Sequence, residues 1–223
     1  MGVGGLRKIL VLTDLHVLPP GGRIGHLDPD ARFRAALSHA LAHHPDAERI
    51  VLTGDLTHNG TPEEYAQLRR ALKRCPLPVH MTLGNHDRRA AFYDAFPAAA
   101  CDADGFAQQI VDSGATRLIV LDTLDADAAV EHSGALCPAR LAFLDAALAG
   151  AGGRRAVIFM HHPPLDVGFD AMDAIGLRDR DAFLAVAARH GNVRPYVSNA
   201  PRINREGFSG ASLNSRNVCL CGN

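Results

Sequence analysis

Four short polar motifs stand out in the chain: Asp14-Leu15-His16, Gly54-Asp55, Gly84-Asn85-His86-Asp87 and His161-His162-Pro163-Pro164. Carboxylate, imidazole and amide groups gathered in one crevice would bind a hard-to-borderline divalent cation, and this oxygen and nitrogen set suits Mn, Fe, Co or Zn. Asp14 and His16 are two apart, so at a strand end Leu15 can enter the core while both polar neighbours face the crevice. Asp55 follows a glycine that gives the turn room, and each of its oxygens can serve one cation. Asn85 offers a neutral amide oxygen and His161 an imidazole. Two cations roughly 3.5–4 Å apart can generate a hydroxide and clamp a phosphoryl group during in-line displacement.

Such residues converge only if the fold brings distant loops together. Buried strands are expected over 8–13, 49–53, 78–83 and 155–160, each a short apolar run that ends at one of the motifs. Helices are expected over 29–44, from Pro62 onward, over 138–149 and over about 180–190. Thr61-Pro62-Glu63-Glu64 reads as a capping box with proline at the first helical position. Strands over 106–111 and 117–121, with Gly114 between them, read as a hairpin. The first half is a βαβαβ pattern, which implies parallel strands under helices. The later strands imply a second sheet packed on the first. Ligands of open α/β sheets sit at the carboxyl ends of strands, where all four motifs fall.

Composition narrows the alternatives. The 223 residues suit one domain, 47% of them are hydrophobic, and the net charge is -1. No polyanion-binding surface is expected, so nucleic acid is not an expected partner. The five cysteines are scattered and odd in number, which argues against a disulfide framework. No apolar stretch approaches the ~20 residues of a membrane span, and no signal segment is read at the N-terminus. The expected compartment is the cytoplasm.

The ordered motifs resemble the calcineurin-like metallophosphoesterase superfamily. The strings Gly54-Asp55-Leu56-Thr57, Leu83-Gly84-Asn85-His86-Asp87-Arg88 and Met160-His161-His162-Pro163-Pro164 look most like its class III cyclic-nucleotide phosphodiesterases and glycerophosphodiesterases. The resemblance implies an α/β fold, a four-layer α-β-β-α sandwich with its C-terminal strands incomplete. It implies two divalent metal ions. Asp14 and His16 would hold the first, Asp55 would bridge, and Asn85 and His161 would hold the second. His86 would contact the phosphate and assist leaving-group departure. The substrate would be a small phosphodiester, a cyclic nucleotide or a glycerophosphodiester, attacked by a metal-bound hydroxide. Relatives of this type often form homodimers.

Two departures from the family pattern matter. His58-Asn59 stand where protein phosphatases of the superfamily carry Asp-Arg, which argues against a phosphoprotein substrate. The expected Gly-His-x-His, which would add one ligand to each metal, is not found, and no histidine follows His190. From Pro195 onward the composition changes: this stretch holds five of the eight asparagines and four of the seven serines. The reading is therefore a truncated metallophosphoesterase domain over 1–194 and an atypical tail over 195–223, with a frameshift near Arg194 as its cause. A truncated, weakly active remnant is the alternative function, and a nuclease is disfavoured by the net charge. Weaker candidates for substrate contact are His162, Arg88 and His26, the last in a Gly-rich loop. His39, His43, His44 and His132 read as ordinary helix or loop histidines.

Overall fold

The computed structural model describes residues 8–128, 130–166, 168–191, 193–197 and 218–220. The first sheet is built from β1 (Lys8–Leu12), β2 (Ala47–Thr53) and β3 (Val79–Thr82), all parallel, as the βαβαβ pattern implied. Helices α1 (Pro29–His43) and α2 (Pro62–Leu72) make the crossovers, and α3 (Arg89–Ala95) follows β3. The second sheet begins with the hairpin β4 (Gln109–Ser113) and β5 (Thr116–Val120). Helix α4 (Pro138–Ala149) leads to β6 (Arg155–Met160), parallel to β5. The short α5 (Asp170–Asp173) and α6 (Arg180–Ala188) follow, then β7 (Val193–Val197) and β8 (Val218–Leu220). The sheet orders are β3-β2-β1-β8 and β4-β5-β6-β7.

The layering follows from strand alternation. On β1, Leu10 and Leu12 join Phe33 and Leu37 of α1 and Tyr65 and Leu68 of α2 in one core. The intervening Ile9 and Val11 meet Val51, Leu118, Val120 and Phe159 in a second core between the sheets. Ile119, Ile158 and Met160 face the other way, onto Leu144 and Leu148 of α4 and Phe183 of α6. The central strands β1, β2, β5 and β6 are thus buried on both faces, which is why they read as continuous apolar runs rather than alternating ones. This is the expected four-layer α-β-β-α sandwich.

The expected capping box is present: Glu64 N–H donates to Thr61 Oγ1 (3.4 Å) and Thr61 N–H to Glu64 Oε2 (3.2 Å). The hairpin exists but starts three residues later than expected. The Phe106 amide is held by Asp102 Oδ1 and the Ala107 amide by Asp122 Oδ2, so neither is free for a ladder. Strands β7 and β8 were not anticipated. β7 pairs parallel with β6, and β8 pairs antiparallel with β1. β7 spans the boundary between Arg194 and Pro195, after which the tail was expected to begin, and most of that tail lies outside the described residues. Among the described residues no helix is long and apolar enough to cross a membrane.

Candidate metal centre and active site

The loops leaving β1 and β2 stay bonded to each other beyond the sheet. Asp14 N–H donates to the Gly54 carbonyl (3.2 Å), His16 N–H to the Asp55 carbonyl (2.9 Å) and Val17 N–H to the Leu56 carbonyl (3.1 Å). Along this seam Asp14, His16 and Asp55 have positive φ, at 52°, 45° and 46°. Left-handed backbone costs a non-glycine residue about 1–2 kcal/mol, and such strain persists where the surroundings over-determine it, commonly at functional sites. Two glycines let the loops close. A Cβ on Gly54 (φ 92°) would lie 2.6 Å from His161 Nδ1, and one on Gly84 would lie 2.3 Å from Asp55 Oδ1.

The seam and the β3 and β6 ends bring the five candidate ligands together. The donor atoms of Asp14, Asp55 and His161 lie within 4.8 Å of one another. His16 Nε2 lies 3.5 Å from Asp55 Oδ2. His161 Nε2 lies 3.5 Å from Asp55 Oδ1 and 3.2 Å from Asn85 Oδ1. Asp55 thus turns one oxygen to each group. Donors about 2.1 Å from one ion lie about 3.0 Å apart at right angles and about 3.4 Å apart at the tetrahedral angle, so the 3.5 Å spacing on both sides of Asp55 is close to that of a small divalent cation's ligands. His161 Nδ1 donates to the Thr53 carbonyl (3.0 Å), which leaves Nε2 as the ligating atom.

The electrostatics also fit a cation. Burial alone would raise Asp55, but His161, then His16 and the His86 amide, hold it below the usual carboxylate range. Burial pulls His161 down, and Asp55 and then Asp14 outweigh it and hold the imidazole above its ordinary value. His16 goes the other way, with burial the leading cause of its lowered value. A fully buried imidazole held toward its charged form marks a crevice with surplus negative charge.

His86 sits at the edge of this group. Its N–H donates to Asp55 Oδ1 (3.0 Å) and its Nδ1 to the His58 carbonyl (2.7 Å), so its Nε2 is left for a substrate. Beneath it Asp87, fully buried, accepts from Leu56 N–H, Thr57 N–H, Thr57 Oγ1, Tyr65 Oη and Gly84 N–H. One carboxylate thereby ties the loops after β2 and β3 together. Burial, and then the charge of Asp55, push Asp87 up to about 6.

The sequence profile of the calcineurin-like phosphoesterases matches residues 7–191. The chain belongs to the calcineurin-like phosphoesterase family. It is 44% identical over 183 residues to a probable cyclic nucleotide phosphodiesterase of Rhodopseudomonas palustris, covering 82% of this chain and 66% of that protein. It is 32% identical to a glycerophosphodiester phosphodiesterase of Enterobacter lignolyticus, covering 80% and 64%. It is 28% identical to a 3',5'-cyclic adenosine monophosphate phosphodiesterase of Pseudomonas aeruginosa, covering 83% and 66%. The chain therefore spans about two thirds of the length of the curated relatives it matches. Among solved structures it shares the fold of a dimetal phosphatase of Danio rerio, with TM-score 0.67, 15% identity, and 85% of this chain and 79% of that one covered.

Two histidines that drew no site assignment from the sequence lie beside the candidate ligands. His132 Nδ1 accepts from Asn85 Nδ2 (2.9 Å), which turns the amide oxygen toward His161. His132 also has positive φ (67°), and its ring stacks on His86 at 5.3 Å. The reading of His132 as an ordinary loop histidine is corrected by these contacts. They join residues 47 apart in the chain, and no local pattern announces them. His58 stacks on His86 at 5.3 Å and meets His16 edge-on at 5.4 Å. The sequence signal at His58 was its place three residues after Asp55.

The weaker candidates separate. His162 is buried, with Nδ1 on Thr123 Oγ1 (2.8 Å) and its ring against Gly134, so it packs behind His161 and offers no nitrogen to solvent. Its expected substrate contact is corrected on that ground. Arg88 is exposed, and its Nη1 donates to the Asp87 carbonyl (2.8 Å) at the lip of the crevice. His26 is exposed on a turn closed by Ile24 and Leu27, and among the described residues no hydrogen bond or ring contact ties its side chain to the cluster.

Proposed function

We propose that this chain hydrolyses small phosphodiesters, a cyclic nucleotide or a glycerophosphodiester, with the help of two divalent cations drawn from Mn, Fe, Co or Zn. The observation that carries the reading is the division of Asp55, one oxygen toward His16 and the other toward His161 and Asn85. Asp14, His16 and Asp55 would hold one cation; Asp55, Asn85 and His161 would hold the other. Bound there, the cations supply Lewis-acid polarisation of the phosphoryl group and activation of the attacking water. The names of the three relatives support the substrate class.

The residues of the chain supply position and proton control. Asn85 is fixed by His132, and His161 by Thr53. His86 carries one proton on Nδ1, shared with the His58 carbonyl, so a second proton on Nε2 is the one it can pass to the leaving alkoxide. The partner is the phosphodiester itself, with a homodimer expected from relatives and neither nucleic acid nor a membrane expected. The test is metal content and bis(p-nitrophenyl) phosphate hydrolysis with Mn added and then chelated. Near two ions per chain and chelator-sensitive turnover support the reading. A metal-free, inactive chain whose fold is intact overturns it.

A second reading rests on the lack of a histidine after His190. Without a Gly-His-x-His, this 1–194 domain would hold metal weakly and turn over little. The other two frames of the coding DNA test the frameshift: if neither encodes that motif shortly after Arg194, the idea fails.

A further inference from the structure

His58 Nδ1 lies 3.4 Å from His16 Nδ1, while the other ring nitrogen of His16 faces Asp55 Oδ2 at 3.5 Å. A neutral imidazole that ligates through Nε2 carries its proton on Nδ1 and needs an acceptor there, and such outer partners fix both tautomer and ring angle. The His58 ring is itself held, stacked on His86 at an interplanar angle of 14° and edge-on to His16 at 72°. Its backbone is tied by the His58 N–H to the Val17 carbonyl (3.3 Å), one residue past His16.

We propose that His58 is a positioning residue of the metal centre: its Nδ1 accepts the Nδ1 proton of His16 and holds His16 Nε2 toward Asp55. The proposal rests on the reading of His16 as a metal ligand. His58 then serves two histidines by separate groups, His16 through its ring and His86 through its carbonyl. A change of side chain removes the ring's bond to His16 and its stacking on His86, and leaves the carbonyl bond in place.

The first test needs no variant. Nitrogen-15 imidazole spectra of the metal-free wild-type chain at mildly alkaline pH should show the His16 proton on Nδ1, and a proton on Nε2 overturns the proposal. The second test is Mn²⁺ titration of the full chain by calorimetry. His58→Leu should weaken one of the two ions about 10–100-fold, while His58→Asn, whose amide oxygen stands near the lost Nδ1, should stay within about threefold of wild type. Equal loss in both variants would make the ring a direct ligand or mere packing, and no loss in His58→Leu would remove its role. His16→Ala separates the two failures. If it keeps both ions at wild-type affinity, the ligand reading falls; if it loses one while His58→Leu does not, only the positioning role falls.

Discussion

Two fully buried carboxylates close loops in this chain, and their hydrogen bonds are satisfied in opposite ways. Asp122, after β5, receives a bidentate Arg89 (2.8 and 2.9 Å) and the amides of Ala107 and Leu124. Arg89 opens α3 on the first sheet, so this pair clamps the two halves. The guanidinium groups of Arg89 and Arg140 also lie over Phe106, at 5.2 and 4.6 Å. Asp87, beneath the crevice, receives only neutral donors among the described residues. A guanidinium there would cancel charge that the site uses. With hydroxyl and amide donors instead, the charge of Asp87 still reaches His161 and helps hold that imidazole above its ordinary value. The ion pair serves cohesion, whereas the neutral cage keeps a negative field where cations are expected.

Removing each carboxylate's support should therefore have different consequences. Asp87→Ala leaves five donors facing a cavity and should cost about 4 kcal/mol in urea unfolding, from lost hydrogen bonds and stranded polar groups. It should also abolish Mn²⁺ binding, because the loops carrying Asp55 and Asn85 lose their tie. A loss below about 1 kcal/mol would mean that water replaces the carboxylate and the cage is not structural. Arg89→Met strands Asp122 and should cost about 3 kcal/mol. The protein that remains folded should bind Mn²⁺ within a few-fold of wild type. If its metal affinity collapses as well, the clamp and the crevice are one unit and the contrast dissolves.

A smaller effect is expected at Gly84. Its Cβ would press on Asp55 Oδ1 and lie 2.8 Å from His161 Nε2, the two atoms that face the second candidate ion. Gly84→Ala should weaken Mn²⁺ binding at least about tenfold while costing only about 1–2 kcal/mol, since the strain falls on the site rather than on the cores. Equal losses of stability and affinity would show that the loop yields as a whole.

The sequence was most informative where local rules decide. Asp14, His16, Asp55, Asn85 and His161 could be picked out because each follows a buried strand, and strand ends in parallel sheets converge on one edge. The capping box at Thr61 and Glu64 was legible for the same local reason. What stayed hidden depends on tertiary contact. His58 and His132 reach the cluster across the fold. Asp87 lay inside a recognised motif, yet four of its five donors come from two other segments, the loop after β2 and helix α2. Helix α3 has no side-chain cap hydrogen bond at its start, so the sequence carried no capping signal for it. Strands β7 and β8 lie where the composition changes, and their ladders are set by the edges of β6 and β1.

The smallest predicted effect concerns the side of the crevice floor away from solvent. Burial, and then the neighbouring His161, hold His162 well below its ordinary value. A histidine lowered in the fold takes up its proton more readily when unfolded, so the unfolded chain binds more protons in this range and stability rises with pH. The contribution is therefore complete above about pH 6.5 and is lost as pH falls below it, by up to about 1.4 kcal/mol per unit. His161 is shifted upward and contributes with the opposite sign in the metal-free protein, which partly masks the trend. The difference between wild type and His162→Phe isolates it, because the variant keeps His161 and His16. Urea unfolding of both metal-free proteins from pH 8 to pH 5 should show a shallower acid loss in the variant, although its stability at pH 8 is lower for want of the Thr123 bond. Parallel curves would mean that His162 takes up its proton in the folded state as readily as in the unfolded one. The floor beneath His161 would then be as open to water as the crevice above it.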